Sequence, residues 1–252
     1  MYGWEAVNYN GVNLSYQDQW GAWSVGADLL AGNESKKETG YWKIYNGRQN
    51  RTDIKWNNIV GGDLTFSKDW LETRLVYLQS SNQMRVMNGI WDPAIPGYAP
   101  APAAPSFTNA IKQQIFGITV NVDYNNWLLR SEAIQINHPS TIATYKDLAY
   151  IVGGGYRYGK WQPMLTWSRY KSVAVSGTDP AAIPADPSAQ EGHYTIALTL
   201  RYDLSTSSAL KVQLDDQHDK SGPLYFPNYL GAANSPVYGN ARLLTLTYDR
   251  VF

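Results

Sequence analysis

The segment "LDDQHDK", residues 214–220, contains the residue types that come closest to catalytic chemistry. It places His218 two residues after Asp216 and next to Asp219. A histidine beside a carboxylate can act as a general base, and clustered acids can hold Ca²⁺. Base catalysis also needs a second acid pair or a serine within hydrogen-bond reach, and the spacing suggests neither. We therefore predict no catalytic residue and no metal site, and we expect these acids to be solvated.

The rest of the composition gives no indication of a cofactor. The sequence has no Cys, which excludes a thiolate metal site, a cysteine nucleophile and a disulfide scaffold. The formal net charge of +0 gives no sign of a nucleic-acid partner. His138 and His193 are isolated in the sequence, so we predict that they are wall or loop residues rather than ligands. We expect no cofactor and no nucleic acid.

Most of the aromatic residues carry a polar group. The 252 residues include 10 Trp and 19 Tyr but only 5 Phe, and 17% are charged. Tyr and Trp favour boundaries between apolar and aqueous surroundings, because the ring is apolar while its OH or NH needs a polar partner. No run approaches the ~20 apolar residues of a membrane-spanning helix. The composition therefore suits a β protein that contacts two different solvents.

Strand-like segments of about ten residues alternate along the chain with short turns and long irregular stretches. In "HYTIALTLRY", residues 193–202, every second residue is aliphatic or Tyr, and the residues between them are mostly polar. Short polar turns and stretches such as 83–108 and 173–191 follow one another in alternation. This is typical of an up-and-down transmembrane barrel, in which one rim has tight turns and the other has long loops.

In each predicted hairpin, the apolar residues of the two strands fall on the same face of the sheet. We predict two-residue turns at Trp20-Gly21, Lys68-Asp69, Asn125-Asn126 and Gly159-Lys160, and a three-residue turn from Ser205 to Ser207. Directly opposed residues of an antiparallel pair point to the same side of the sheet. Apolar residues then oppose apolar ones, Asp63 opposes Arg74 as an ion pair, and Arg201 opposes Lys211.

The polar face carries charges of both signs. We predict that it lines a pore, with these residues in the wall: Asp28, Asp63, Glu72, Arg74, Asp123, Arg130, Glu132, Arg157, Arg201, Lys211 and Asp215. Pores select by width and by the local field of their lining charges. The mixture predicts weak ion selectivity unless the two signs are segregated. Each charge also has the plainer interpretation of a solvated wall residue.

Aromatic residues bracket the apolar face at both ends. We predict that they lie at membrane interfaces: Trp23, Trp70, Trp127, Trp161, Tyr194, Tyr202 and Phe252. A soluble β-sandwich or lipocalin-like barrel is the alternative, because its strands alternate as well. Each strand here has only one apolar face, and that face is poor in charge and bracketed by Tyr and Trp, which favours the membrane interpretation.

The C-terminal segment "LTLTYDRVF" resembles the last strand of Gram-negative outer-membrane proteins. Phe252, Tyr248, Leu246 and Leu244 fit the outward positions of that family, while Arg250 departs from it and is expected to snorkel at the rim. The whole chain looks like the C-terminal portion of a proteobacterial porin. The resemblance implies a location in the outer membrane and recognition of Phe252 by the outer-membrane assembly machinery. It also implies a parent of about sixteen strands.

Eleven strands can be counted along the chain. We predict one outer-membrane β-barrel domain over residues 1–252, and we expect N-terminal strands and a signal peptide to be missing, because bacterial single-chain barrels have even strand numbers. Alternatively, "VNYNGVN" is itself an Asn-Gly hairpin that adds a short twelfth strand.

The segment from Pro93 to Pro105 contains five prolines and is not expected to form a strand. It either folds into the pore as a constriction or lies over the mouth. Arg85 and Asp92 flank it and are candidates for the constriction. An earlier lysine- and arginine-rich segment, residues 36–55, is a candidate for gathering anions or lipopolysaccharide phosphates, or is a plain solvated loop.

We therefore predict a channel for passive diffusion of small hydrophilic solutes that performs no enzymatic step. The expected partners are outer-membrane lipids, lipopolysaccharide and these solutes. A homotrimer that packs through the thin outer face of "IVGGGYRYG" is one possibility, and a kink in the strand is another. The alternative function is a barrel enzyme of protease or lipase type, or an adhesin, which acts through the long outer loops.

Overall fold

The computed structural model describes residues 9–38, 51–87, 106–138, 145–174, 191–221 and 240–251, and within these ranges the chain is all-β. A single antiparallel sheet contains eleven strands in chain order. The strands are β1 (Asn10–Trp20), β2 (Trp23–Lys36), β3 (Arg51–Lys68), β4 (Leu71–Met87), β5 (Ile111–Tyr124), β6 (Trp127–His138), β7 (Tyr145–Tyr156), β8 (Trp161–Ala174), β9 (Gly192–Ser205), β10 (Ser208–Asp219) and β11 (Ala241–Arg250). The predicted all-β, up-and-down arrangement of eleven strands is confirmed. Asn10 and Gly11, the turn of the hairpin proposed to add a twelfth strand, both lie inside β1 and lack the positive φ that an Asn-Gly hairpin turn requires, so that alternative is wrong.

Among the described residues, no helix has the length and apolar character that a membrane crossing requires.

Two-residue turns connect the strands at one end of the sheet, which we call the turn end; the opposite end is the far end. The predicted turns Asn125-Asn126 and Gly159-Lys160 are confirmed. Asn125 and Asn126 have φ of 47° and 69°, and Gly159 has φ of 57°. Asn and Gly tolerate this left-handed region best, and turns with positive φ match the twist of a hairpin. The sequence "NN" therefore fixes the connection between β5 and β6.

Two turns begin one residue later than predicted, at Gly21-Ala22 and Asp69-Trp70. At the first, Gly21 adopts φ of 63°, a conformation that would be costly for Trp20. At the second, Lys68 remains in β3 with its ammonium group 5.7 Å from the centroid of the Trp23 ring. A shift of one residue in a turn moves each opposed pair by two positions, so the faces are unchanged.

The predicted three-residue turn after β9 is instead the two-residue turn Thr206-Ser207 followed by a register shift between Ser208 and Ala209. A bulge adds one unpaired residue to one strand and so has the same effect on register as a longer turn. The predicted pairs are therefore confirmed: Tyr202 opposes Leu210, and Arg201 opposes Lys211.

The register of β8 to β11 divides the sheet into two chemically different faces. In one row Leu165, Leu198, Leu214 and Leu244 oppose one another, and the next row contains Pro163, Leu200, Val212 and Leu246. We call this side the apolar face. The intervening rows, which include Thr166, Ala197, Thr199, Gln213 and Thr245, belong to the polar face. On the apolar face Leu198 is 56% exposed and Leu246 is 73% exposed.

The contacts divide the chain into two compact units. The first comprises Met1–Ser15, Asp28–Gly62 and Leu78–Gln114. Among its described residues, Ile54, Trp56 and Ile59 form a buried cluster, against which Leu30, Leu78 and Met84 pack. Residues 56 and 59 would face opposite sides of a regular strand. Asn58, with φ of 52° and its amide bonded to Asn33 Oδ1 at 2.8 Å, interrupts the alternation between them and brings both into the cluster.

The second unit comprises Tyr16–Ala27, Asp63–Tyr77 and Ile115–Phe252. It contains the triple glycine, Gly153 to Gly155, of the segment that the sequence indicates as a thin outer face. Gly153 and Gly155 oppose Thr166 and Met164 on the polar face. A methyl group at Gly153 would lie 2.6 Å from Thr166 Oγ1, so the side chains across the strand require glycine there. Of the three glycines, only Gly154 lies on the apolar face.

The Asn125-Asn126 turn supplies a direct test of the hairpin geometry. Asn126→Val should lower the free energy of unfolding by about 1–2 kcal/mol, because a β-branched residue is strained in the left-handed region. Asn126→Gly is the control and should leave stability within about 0.5 kcal/mol. Urea unfolding of the detergent-refolded protein, followed by tryptophan fluorescence, measures both. Equal stability of the two variants would contradict the assigned turn.

Candidate pore-lining site

Ion pairs and hydrogen bonds join the predicted wall residues at the turn end. Arg74 bonds both carboxylate oxygens of Asp63, at 3.0 and 2.8 Å, so the predicted ion pair forms, although the shifted Asp69-Trp70 turn makes the two residues diagonal neighbours instead of directly opposed ones. Arg157 bonds Asp123 through both of its terminal nitrogens, with Nη2 at 2.6 Å from Oδ2. Arg130 Nη2 lies 3.9 Å from the same Asp123. A single carboxylate therefore lies between two guanidinium groups, one from β6 and one from the residue that follows β7.

Arg130 is held by the backbone as well as by charge. Its Nη1 donates to the carbonyl oxygens of Val122 at 3.0 Å and Leu129 at 2.9 Å. Beside it, Asn121 Nδ2 donates to Glu72 Oε1 at 3.2 Å. These groups border a cavity of about 530 Å³, lined by Gln19, Ala22, Ser24, Ser67, Lys68, Asp69, Trp70, Leu71, Glu72, Asn121, Asp123 and Arg130. The cavity is open on one side and brings three of the predicted wall residues, Glu72, Asp123 and Arg130, together.

The other predicted wall residues lie outside this cavity. Arg201 Nε donates to Asp203 Oδ1 at 2.7 Å, and Lys211 lies directly opposite Arg201. Gln213 Nε2 donates to Asp215 at 2.9 and 3.1 Å. Asp28 accepts a hydrogen bond from the Ser15 hydroxyl, and Glu132 opposes Ile151 between β6 and β7. The structure thus distributes these residues along the strands instead of collecting them at one point.

Arg85, one of the two constriction candidates, is engaged in an ion-pair cluster of the first unit. Its Nε and Nη2 donate to Asp53 Oδ2 at 3.0 and 2.8 Å, and its guanidinium lies 4.7 Å from the centroid of the Phe107 ring. Arg51 Nε donates to Asp53 Oδ1 at 2.9 Å. Arg85 is therefore paired within the strands, and Asp92, the other candidate, lies outside the described residues.

Asp53 is the acid on which this cluster depends, and its side chain is only 1% exposed. Burial opposes ionisation and would raise its pKa. The hydrogen bonds from Arg51, the Glu38 amide and Arg85 outweigh that effect and hold the pKa of Asp53 below its ordinary value. The carboxylate therefore stays ionised and keeps both arginines in place.

Five of the predicted interface aromatics contact other rings of the sheet. Trp70 and Tyr124 meet edge to face at 5.9 Å between ring centroids. Trp127 contacts Tyr156 at 4.9 Å, and Trp161 contacts Tyr202 at 4.4 Å. At the far end, Tyr194 stacks on His218 at 4.7 Å. Phe252 lies outside the described residues.

His218, the histidine of the segment "LDDQHDK", belongs to the apolar face because it opposes Tyr194. Its Nε2 lies 3.2 Å from Asp216 Oδ2. Asp219, the other acid of the segment, opposes His193 and so faces the other side of the sheet. The histidine and its two neighbouring acids therefore do not form one cluster.

A buried polar cluster at the far end was not predicted. Asp147 Oδ2 lies 2.8 Å from His138 Nε2, and Asp147 Oδ1 accepts from the Ser172 hydroxyl at 2.5 Å. Tyr170, whose OH lies 3.1 Å from Ser172 Oγ, stacks on His193 at 5.3 Å. His138 and His193 are thus not isolated, although they are isolated in the sequence. Their partners come from other strands, and no local motif signals them.

This cluster is arranged for holding strands together rather than for nucleophilic attack. A serine nucleophile needs its hydroxyl bonded to a histidine that removes the proton. Here Ser172 donates to Asp147, which lies between Ser172 and His138. Within the described ranges, no group of three or more His, Cys, Asp or Glu residues is placed to hold a metal ion.

Comparisons with known proteins give loose likenesses only. OmpT, an outer membrane protein of Vibrio cholerae, is 8% identical with a TM-score of 0.48, over 95% of this chain and 88% of OmpT. The anion-selective porin from Comamonas acidovorans is 10% identical with a TM-score of 0.45, over 82% of this chain and 78% of the porin. At these values the likenesses assign no activity to this chain. No family model matches the sequence, and no curated protein does.

The pKa of the Asp147 carboxyl leads to a prediction of how the stability of the protein depends on pH. Burial would raise its pKa, but the bonds from His138 and Ser172 outweigh burial, so its pKa lies below the ordinary value of about 3.9. A carboxyl with a lowered folded pKa stabilises above its unfolded pKa, and that contribution is lost as the pH falls through the folded pKa. Asp147→Asn should therefore cost about 1–3 kcal/mol at neutral pH and flatten the decline of stability below about pH 4.

Urea unfolding at a series of pH values measures both effects. Asp215→Asn is the matched control, because Asp215 is only partly buried and is bonded to Gln213 alone among the contacts described. It should change stability by less than about 1 kcal/mol. The assignment is wrong if Asp147→Asn retains the full acid sensitivity of the unmodified chain.

Proposed function

We propose that this chain forms the wall of a transmembrane β-barrel in the outer membrane of a Gram-negative bacterium. The observation that carries the proposal is the apolar face of β8 to β11, where rows of Leu and Val lie side by side and stay exposed. A soluble protein rarely exposes apolar patches of more than a few hundred Å². Hydrocarbon is the solvent that suits this face.

The height of the apolar face supports the same proposal. Its aromatic brackets on β9, Tyr194 and Tyr202, are eight residues apart, which corresponds to about 26 Å along a strand. With the tilt of roughly 40° found in outer-membrane barrels, this length spans about 20 Å of height, which is comparable with their apolar band of about 25 Å. At the turn end Trp161, Tyr202, Leu210 and Tyr248 lie in one row, which places aromatic rings at a single interface.

We further propose that small hydrophilic solutes diffuse passively along the polar face, with no covalent step. Ion pairs such as Arg74 with Asp63 and Arg157 with Asp123 place both signs of charge there. A wall with paired charges offers hydrogen-bond partners to many solutes but has little net field. Weak ion selectivity is therefore the expected property of the channel.

Single-channel recording tests the proposed function. The detergent-refolded protein in a planar bilayer should open in discrete steps, with a reversal potential near zero in a salt gradient. Lys211→Glu on the polar face should shift that potential towards cation selectivity. Lys160→Glu is the control, because Lys160 lies in the exposed turn between β7 and β8 and not on the polar face of a strand, and it should shift the potential less. A folded, inserted protein without conductance would contradict the channel.

A pair of neighbouring substitutions tests which face contacts lipid. Leu198→Arg should reduce insertion strongly, because arginine near the middle of the lipid-facing surface costs about 2–4 kcal/mol. Thr199→Arg, one residue away on the polar face, should insert normally. Protease protection after refolding into phosphatidylcholine vesicles measures insertion of both variants. Equal insertion of the two variants would contradict the assignment of the apolar face to the lipid.

A further inference from the structure

At the far end of the sheet, cations predominate on the apolar face and most of the acids lie on the polar face. The register places Arg169 on the apolar face, in the row of Tyr150, Tyr194 and His218. Lys171 follows in the next apolar-face row, opposite Leu148. Of the acids at this end, Asp147, Asp215 and Asp219 lie opposite Ser172, Ala197 and His193 on the polar face, whereas Asp216 lies opposite Ile196 on the apolar face.

Five cations form this apolar-face set, which we call the basic belt: Lys146, Arg169, Lys171, Lys220 and Arg242. Lys146 precedes Leu148 by two residues and so shares its face, and Lys220 follows His218 by two residues. Arg242 opposes Asp216, which in turn opposes Ile196 of the apolar face. The basic belt therefore borders the apolar rows where they end, with Arg242 at the level of Ile196 and the other four cations at or beyond the level of Tyr194.

Four of the five cations of the basic belt are available to a ligand, and the fifth, Lys146, is half-buried. Arg169, Lys171, Lys220 and Arg242 are exposed. Of the five cations in the basic belt, only Arg242 takes part in an ion pair between described residues, through its Nε to Asp216 Oδ1 at 3.1 Å. Its two terminal nitrogens are not part of that contact. The Lys220 ammonium lies 5.6 Å from the centroid of the Tyr194 ring, which places its charge at the aromatic bracket.

We propose that the basic belt binds the phosphate groups of phosphate-bearing lipids. Arg and Lys are the side chains that bind phosphate, and arginine can do so with two parallel hydrogen bonds. A lipid is favoured over a soluble anion because the basic belt and the apolar rows share one face. A lipid headgroup is thereby positioned at the cations while its chains cover Leu198 and Leu214. This assignment rests on the membrane placement proposed above.

The experiment uses the detergent-refolded full chain and a fluorescent short-chain phosphatidic acid, with binding read by anisotropy. Fluorescent phosphatidylcholine of the same chain length is the neutral comparison. The double variant R169Q/K171Q should weaken phosphatidic acid binding about 25-fold, since each cation near a lipid surface contributes roughly fivefold. The matched control R201Q/K211Q removes the same charge from the polar face and should change binding less than about twofold.

Three results would count against a lipid as the ligand. Equal affinity for the two lipids, or an equal loss in the two double variants, would overturn the assignment. Displacement of phosphatidic acid by inorganic phosphate at a comparable concentration would also overturn it, because the site would then recognise a free anion. If R169Q/K171Q does not fold, the single variant K171Q should still weaken binding about fivefold.

Insertion distinguishes this inference from the proposed function. A chain that fails to insert into phosphatidylcholine vesicles overturns the membrane placement and the basic belt together. A chain that inserts and conducts, but binds both lipids alike, overturns the basic belt alone. A chain that inserts and prefers phosphatidic acid but does not conduct keeps the basic belt and overturns the channel.

Discussion

The two-residue period of antiparallel strands is the constraint on which the rest of this structure depends. Every residue of a strand faces the side opposite to its neighbours, and opposed residues share a side. A slip of one residue in a single hairpin would turn a whole strand of Leu and Val towards the polar side. The register shift between Ser208 and Ala209 keeps Leu210 opposite Tyr202, so the turn after β9 preserves the faces.

The chain departs from this period in β3, where a local interruption makes a different kind of packing possible. Asn58 brings Trp56 and Ile59 into one buried cluster, and the same strand buries Asp53 between Arg51 and Arg85. A buried carboxylate is costly unless charge and hydrogen bonds compensate it, and here two guanidinium groups do so. An arginine that holds a buried acid in this way is not available to a passing solute.

Local features of the sequence predicted the fold, whereas contacts between residues far apart in the sequence were not predicted. Alternation and the Asn125-Asn126 dipeptide are visible within ten residues of sequence, and such local patterns predicted the strands, the faces and two of the five turns correctly. The turn at Gly21-Ala22 was misplaced because tryptophan and glycine side by side left the first turn position ambiguous. The pairing of Asp147 with His138 and Ser172 joins three strands, and only the register between those strands brings the three residues together.

The distribution of charge at the far end extends the same argument from packing to electrostatics. Because successive residues of a strand face opposite sides, Asp215 lies on one face and Asp216 on the other, so these neighbouring acids have different surroundings. Asp216 meets Arg242 and His218, whereas Lys171 and Arg169 repeat a positive charge along the apolar face without an acid partner among the described ion pairs. Like charges held together destabilise a surface unless counterions or anionic ligands neutralise them. The stability of the far end of the sheet therefore depends on the counterions or anionic ligands in the surrounding medium.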